Sequence, residues 1–193
     1  MILGITGRAG SGKSFAQEWI HTHTPIEVID LDIIGHYLLE KEVVIEELVA
    51  RFGKKIITKE GKVERRKLSN IVFSQPKALD DLNKIMHPKI YDEVNTIITN
   101  NKNNHFCIVG ALIKEINLIS FCDFILTIDA KDADIRRYSK KSFKIANLQR
   151  SRHAYIKDAN IVIQNTFSET FIFELRKCIK NVFPFIQIGR AHV

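Results

Sequence analysis

An α/β fold, with a parallel sheet covered by helices on both faces, is the class this sequence predicts, and three observations carry it. Short apolar runs and amphipathic stretches alternate along the whole chain. The first apolar run leads straight into Gly7-Arg8-Ala9-Gly10-Ser11-Gly12-Lys13-Ser14, which matches G-x-x-x-x-G-K-[ST] in full, with a strand before it and a helix after it. The second strand, Val28-Ile29-Asp30-Leu31-Asp32, ends in paired carboxylates, and ligands gather at the carboxyl ends of parallel strands. Together these specify a three-layer P-loop NTPase fold.

The elements follow in order. Residues 1–6 read as a buried strand. Residues 14–23 read as a helix with Ala16, Trp19 and Ile20 on one face. A second strand covers 26–29 and stops at Asp30; helices then cover 32–39 and 42–52, with Gly53 suited to a helix end. Lys59-Glu60-Gly61-Lys62 is a turn, and 65–73 a helix. Leu79, Leu82, Ile85 and Met86 recur at helical spacing, and Pro88 is placed at the start of a separate helix over 87–100, because proline is tolerated in a first turn. A polar loop over 100–104 precedes a third strand, 106–109, and a helix from about Ala111. Residues 124–128 form the fourth strand, 131–155 a basic helical stretch, 161–163 the fifth strand and 168–182 the last helix.

A chain of 193 residues, 45% hydrophobic and 26% charged, suits one soluble domain and excludes wholesale disorder and a disulfide scaffold. The net charge of +7 suggests anionic partners, either nucleic acid or phosphorylated small molecules. Cys107, Cys122 and Cys178 are odd in number and far apart, without metal or redox spacing, and read as buried reduced thiols. The apolar start is no signal peptide, no run approaches the ~20 residues of a membrane span, and the expected location is cytoplasmic. The last six residues, Ile188-Gly189-Arg190-Ala191-His192-Val193, continue no periodic pattern. They can be encoded by ATC GGA AGA GCA CAC GTC, the read of a widely used sequencing adapter. They are read as a non-native tail after a single domain over 1–187.

The glycine-rich loop points to a nucleoside triphosphate. Its backbone N–H groups converge on phosphate oxygens, and the following helix adds the positive end of its dipole. The residues expected to contact ATP are Gly7, Ala9, Gly10, Ser11, Gly12, Lys13, Ser14 and Phe15. Lys13 reaches the β- and γ-phosphates, and the Ser14 hydroxyl is the Mg²⁺ ligand. A base-reading N-K-x-D motif is missing after both Asn83-Lys84 and Asn101-Lys102, so a GTPase does not fit; a small phosphotransferase does. Of Asp30 and Asp32, one can take the proton of an attacking hydroxyl while the other orients Mg²⁺ through water. The plainer alternative is a helix N-cap and a solvated acid.

Gly4 to Ser14, Val28-Ile29-Asp30-Leu31-Asp32, Glu60 to Leu68, Ile71-Val72-Phe73, Leu82 to Ile90 with its His87-Pro88, and Ala159 to Asn165 together resemble the dephospho-coenzyme A kinase family over about residues 2–182. The resemblance implies transfer of a phosphoryl group from ATP to the ribose 3′-hydroxyl of dephospho-coenzyme A. It implies Asp32 as general base, Asp30 in support, Arg65 facing the acceptor's phosphates, His87 lining the acceptor site and Arg137 stabilising the transferring charge. A helical acceptor-binding insert over about 60–100 and a short lid over about 131–157 go with it. The plain alternatives are a helix-start histidine at His87 and solvated basic faces at Arg65-Arg66 and along the lid.

Two stretches depart from the family pattern. Where the family carries P-L-L-x-E, this chain has Gly110-Ala111-Leu112-Ile113-Lys114-Glu115; on a helix the one-residue shift of the acid turns it by about 100°. The lid carries Lys140 and Lys141 where arginines are expected, with Arg150 and Arg152 after Gln149. Rival readings are a nucleoside or nucleotide kinase, an ATP-binding protein with a decayed acceptor site and, with least support, a nucleic-acid module. The expected partner is a small-molecule acceptor, without nucleic acid or membrane, on a monomer or weak homo-oligomer.

Overall fold

The computed structural model describes residues 1–189, which form two compact units. One unit combines 1–30 with the chain from Asn101 onward; the other is Leu31–Asn100. The strands are β1 (Ile2–Thr6), β2 (Glu27–Asp30), β3 (Phe106–Val109), β4 (Phe124–Asp129) and β5 (Ile161–Gln164). The helices are α1 (Lys13–His23), α2 (Leu31–Leu38), α3 (Glu42–Phe52), α4 (Arg65–Ser74), α5 (Pro76–Asn100), α6 (Asp132–Tyr138), α7 (Lys140–Ala146), α8 (Arg152–Lys157) and α9 (Glu169–Val182).

In the first unit the strands lie in the order β2-β3-β1-β4-β5, every neighbouring pair parallel. Parallel neighbours need crossover connections, so the alternation of runs in the sequence becomes helices laid on a sheet. Leu3 and Ile5 of β1 face α1 and α9 and join Val109, Leu126, Ile128 and Ile163 around Ala16, Ile20, Leu175 and Ile179. Each of the valine, leucine and isoleucine side chains among them contributes roughly 1.5–3 kcal/mol by leaving water. On the opposite face a Cβ at Gly4 would stand 2.7 Å from Ile125 Cδ1 and 2.9 Å from the Cys122 sulfur. That face is also covered by α8, whose Tyr155 carbonyl accepts from the Thr127 hydroxyl at 3.0 Å. Burial raises all three thiols, Cys122 to about 12 and Cys178 to about 11, which keeps them protonated and unreactive.

Two stretches of this unit differ from expectation. The helix anticipated from Ala111 is a run of turns ending in a short 3₁₀ helix, Leu118–Phe121. Asn117 takes a left-handed conformation at φ 63°. Its N–H donates to the Lys114 carbonyl at 2.9 Å, and Leu118 N–H to the Ile113 carbonyl at 2.8 Å. That is the paired bonding of a helix stop, so the stretch terminates after about one turn. The single basic helix over 131–155 is three short ones. Ser139 and Ser151 each accept from a backbone N–H three residues on, capping α7 and α8 and breaking the run.

The second unit is helical. α5 is 25 residues long and packs against α2, α3 and α4. It runs unbroken through Pro88, where a separate helix was expected. Proline there removes the bond to the Lys84 carbonyl, a cost of ~3 kcal/mol in an isolated helix. The apolar stripe Met86, Ile90 and Val94 continues across it, and its burial keeps one helix. Glu47–Lys89 at 2.8 Å and Arg51–Asp81 tie α3 to α5.

No helix among the described residues is long and apolar enough to cross a membrane. Of the segment read as a non-native tail, Ile188 packs partly against the first unit's core and Gly189 N–H donates to the His23 carbonyl at 3.0 Å. Residues 190–193, with Arg190 and His192, lie outside the described residues.

Candidate functional site

The first unit carries the phosphate loop between β1 and α1. Gly7 and Gly12 have φ of 141° and 107°, a region L side chains rarely adopt. A Cβ at Gly7 would collide with the Ile128 carbonyl oxygen, and one at Gly12 with the Asn165 side-chain amide. Asn165, at the carboxyl end of β5, is 3% exposed. It donates from Nδ2 to the Ser11 carbonyl at 2.9 Å and accepts at Oδ1 from Phe167 N–H at 2.7 Å. The loop is thus braced from the far edge of the sheet. Lys13 Nζ lies across the loop, donating to the Gly7 and Arg8 carbonyls at 2.8 and 3.0 Å. Ser14 is exposed in the first turn of α1, which holds no acid. Arg8 is buried: it donates to the Ala130 carbonyl at 3.0 Å and pairs with Asp132 at 2.6 Å.

An apolar recess of about 460 Å³ adjoins the loop, lined by Gly12, Phe15, Tyr138, Asn165, Phe167 and Phe171 among others. Tyr138 and Phe167 stack at 4.2 Å between centroids, and Phe15 stands 5.9 Å from Phe171. Phe15 was expected here; Tyr138, Phe167 and Phe171 were not, because each belongs to a different element and only the fold brings them together.

The segment expected to form a lid touches the same loop. The Gln149 side-chain oxygen accepts from Ala9 N–H at 2.7 Å, and a Cβ at Gly10 would meet Ile135 and Ser142 at 2.9 Å. Arg136 lies over Phe143 at 4.4 Å and Arg137 over Tyr138 at 6.0 Å, both exposed. Arg152 donates from Nε to the buried Asp129 carboxylate at 2.7 Å, and that bond raises the guanidinium's proton affinity. Arg150 pairs with Asp158 and stands 3.6 Å from Glu115, while Lys114 pairs with Asp158 at 2.7 Å. The lysine bond, then the arginine, hold the Asp158 carboxyl below its ordinary value. Lys114 and Glu115 therefore sit in a surface ion network. Because their stretch is a turn, the 100° helical displacement argued from the sequence does not apply to it.

Asp30 ends β2 in register with Val109 of β3, which also pairs with Ile5 of β1. It therefore lies level with the end of β1 but two strand spacings away, about 10 Å.

In the second unit Asp32 stands in the first turn of α2, past the cap position, with His36 one turn on. Arg65 opens α4 and lines a recess of about 370 Å³; Arg66 does not line it. His87 lies in the middle of α5 instead of at a helix start. Among the described residues no group of three or more His, Cys, Asp or Glu could hold a metal ion. A Mg²⁺ that takes most of its ligands from phosphates and water needs no such group, and the Ser14 hydroxyl fits that pattern.

A family model described as dephospho-CoA kinase matches residues 1–169. A dephospho-CoA kinase of Fusobacterium nucleatum subsp. nucleatum is 31% identical over 182 residues, 90% of this chain and 94% of that protein. Another, from Borrelia garinii subsp. bavariensis, is 37% identical over 131 residues; the match spans 68% of this chain and 63%, just under two thirds, of the relative. Among solved structures, a dephospho-CoA kinase from Campylobacter jejuni superposes with a TM-score of 0.68 at 24% identity, covering 94% of this chain and 96% of the other. At that identity the likeness concerns the fold.

Proposed function

Because this chain belongs to the dephospho-CoA kinase family, we propose that it transfers the γ-phosphoryl group of ATP to the ribose 3′-hydroxyl of dephospho-coenzyme A, the closing step of coenzyme A synthesis. The observation that carries the reading is the phosphate loop itself: glycines at positive φ, the buried Asn165 brace and the Lys13 ammonium lying across the loop. Those features suit a polyphosphate, and the aromatic recess beside Gly12 suits the adenine.

In the reaction the 3′-oxygen attacks the γ-phosphorus, and the bond from that phosphorus to the β,γ-bridging oxygen breaks. ADP leaves with the electron pair, and the hydroxyl proton passes to the Asp32 carboxylate. Lys13 and the loop amides hold the β- and γ-phosphates, and Arg137 meets the charge on the transferring group. Asp30 supports the acceptor side, Arg65 faces the acceptor's phosphates and His87 lines its site. Ser14 would hold Mg²⁺, which when bound neutralises the developing charge on the phosphate oxygens. The acceptor is a small molecule, and neither nucleic acid nor membrane enters the step.

A coupled ADP-release assay tests the reading. The expected result is turnover with dephospho-coenzyme A well above that with a panel of nucleosides and nucleoside monophosphates. Preference for any member of the panel makes it a kinase of another acceptor, and ATP binding without ADP release makes the acceptor site a decayed one.

A further inference from the structure

Three consecutive residues of the phosphate loop, Arg8, Ala9 and Gly10, each meet a different point of the stretch 132–149, and all of these contacts lie within the first unit. The sheet brings them together. β1 and β4 are parallel neighbours with Thr6 opposite Thr127, so the chain leaving β1 and the chain leaving β4 emerge side by side. Arg8, two residues past β1, reaches across that junction. It is 8% exposed, and a guanidinium so far out of water needs partners. Its Nη2 donates to the Ala130 carbonyl at 3.0 Å and lies 2.6 Å from Oδ1 of Asp132, the first residue of α6.

The far end of the stretch is held by Gln149, whose side-chain oxygen accepts from Ala9 N–H at 2.7 Å. An amide so engaged donates to Gln149 and not to a phosphate oxygen. The glutamine is half-buried, and Arg150 beside it pairs with Asp158 and donates to the Ala154 carbonyl at 3.1 Å, which anchors its backbone. Between the two ends, Gly10 at φ 78° leaves no room for a Cβ against Ile135 and Ser142, so α6 and α7 rest on the loop's own backbone. Residues 133–148 carry Arg136, Arg137, Lys140, Lys141 and Lys144 against the single acid Asp134. A cationic span is thus slung between two attachments on the loop.

We infer that Arg8 and Gln149 are positioning residues that pin the two ends of this cationic span to the phosphate loop, Arg8 through Asp132 and Gln149 through the Ala9 amide. Neither acts on the reacting atoms itself. Their effect passes through Arg137, five residues past Asp132 on α6. With the start of α6 fixed to Arg8, the Arg137 guanidinium explores a smaller volume and spends more of its time where the transferring charge develops. Because the pins sit on consecutive residues, any shift of the loop on binding ATP carries both ends of the span with it. The inference rests on the reading of Arg137 as the group that meets that charge.

Two measurements on the full chain separate the pins from the group they position. The first is hydrogen exchange of the backbone amides over 133–148. Asp132→Ala and Gln149→Leu should each speed that exchange about tenfold or more and leave β1, β4 and α9 unchanged, and Gln149→Glu, which keeps an acceptor oxygen, should restore the slow rate. Asp132 is exposed, and thermal melts like those of wild type exclude a folding defect. The second is kcat for ADP release with dephospho-coenzyme A. Asp132→Ala should lower it about tenfold with the KM for ATP little changed, and should have no further effect in an Arg137→Ala background, because the pin acts through that arginine. Arg8→Met should reproduce the Asp132→Ala result, and combining the two should add nothing. Unchanged exchange in both single variants, or the same loss of kcat from Asp132→Ala with and without Arg137, overturns the inference. Faster exchange together with a wild-type kcat in Arg137→Ala supports the pinning and removes the reading of Arg137, and with it the positioning role.

Discussion

The phosphate loop keeps its shape through backbone sterics, whereas the lid over 131–157 keeps its shape through caps and ion pairs at and near the surface. At Gly7 and Gly12 any side chain meets a carbonyl oxygen or the buried Asn165 amide. In the lid, Arg150, Arg152 and two serine caps do the holding, and each of those contacts is partly open to water. Steric restraint is all-or-none and indifferent to salt. Exposed ion pairs are individually weak, screened by salt and titratable. The loop is thus the more rigid of the two, and the segment proposed as a lid is the one held by contacts that salt and pH can weaken.

That contrast can be broken most sharply at Gly12. Gly12→Ala should displace the loop against Asn165 and lower kcat/KM by roughly a hundredfold or more, the scale expected when a reacting group is misplaced by about 1 Å. Steady-state kinetics with ATP as varied substrate, together with calorimetric ATP binding, read it. Retained affinity would mean that the loop adapts, and the contrast with the lid would fail.

A smaller effect is expected at Arg152. Asp129 is 5% exposed, and Arg152→Ala leaves its carboxylate without that partner. The arginine itself is 40% exposed, so the loss belongs toward the low end of the range for an unsatisfied buried group, about 1–2 kcal/mol. Urea unfolding checks it, and Arg152→Lys should recover part, since lysine restores charge but not the two-pronged grip. An unchanged midpoint would show that water replaces the guanidinium freely.

The smallest effect concerns Asp158. Its carboxyl is held down first by the Lys114 hydrogen bond and then by Arg150. A carboxyl lowered in the folded state stabilises fully above its unfolded value, near 3.9, and that contribution fades as pH falls through the lower folded value. Asp158→Asn should therefore be slightly less stable than wild type at pH 7, with the gap closing below about pH 4 and narrowing in high salt. A gap independent of pH would mean that the ion network does not act through charge.

The two regions also differed in how far they could be read from sequence. The phosphate loop was legible because its shape follows from three glycines and a strand–loop–helix setting, all local in the chain. The sheet was legible because buried parallel strands write continuous apolar runs. Asn165 sits 154 residues from the Ser11 carbonyl it braces, and no local pattern announces such a contact. The same holds for Gln149 against Ala9 and for the stack of Tyr138 on Phe167. Where local rules were followed too literally, packing overrode them: Pro88 sits inside α5 because the stripe Met86, Ile90 and Val94 is buried as one. In the other direction, Ser139 and Asn117 ended helices that composition alone would have prolonged. Arg65 was singled out from the sequence, but its neighbours in the recess it lines, His36 and Lys62, were not, because α2 and the turn at Gly61 come together only in the folded chain.

The most direct measurement is the site of phosphorylation on the product. Purified chain, ATP, Mg²⁺ and dephospho-coenzyme A are incubated, and the product is examined by phosphorus NMR and mass spectrometry, with Asp32→Asn alongside. The expected result is one added phosphoryl group on the ribose 3′-oxygen, formed by wild type and reduced by at least about a hundredfold in Asp32→Asn. A phosphate on any other oxygen, or undiminished product from Asp32→Asn, would contradict the assignment of acceptor and base.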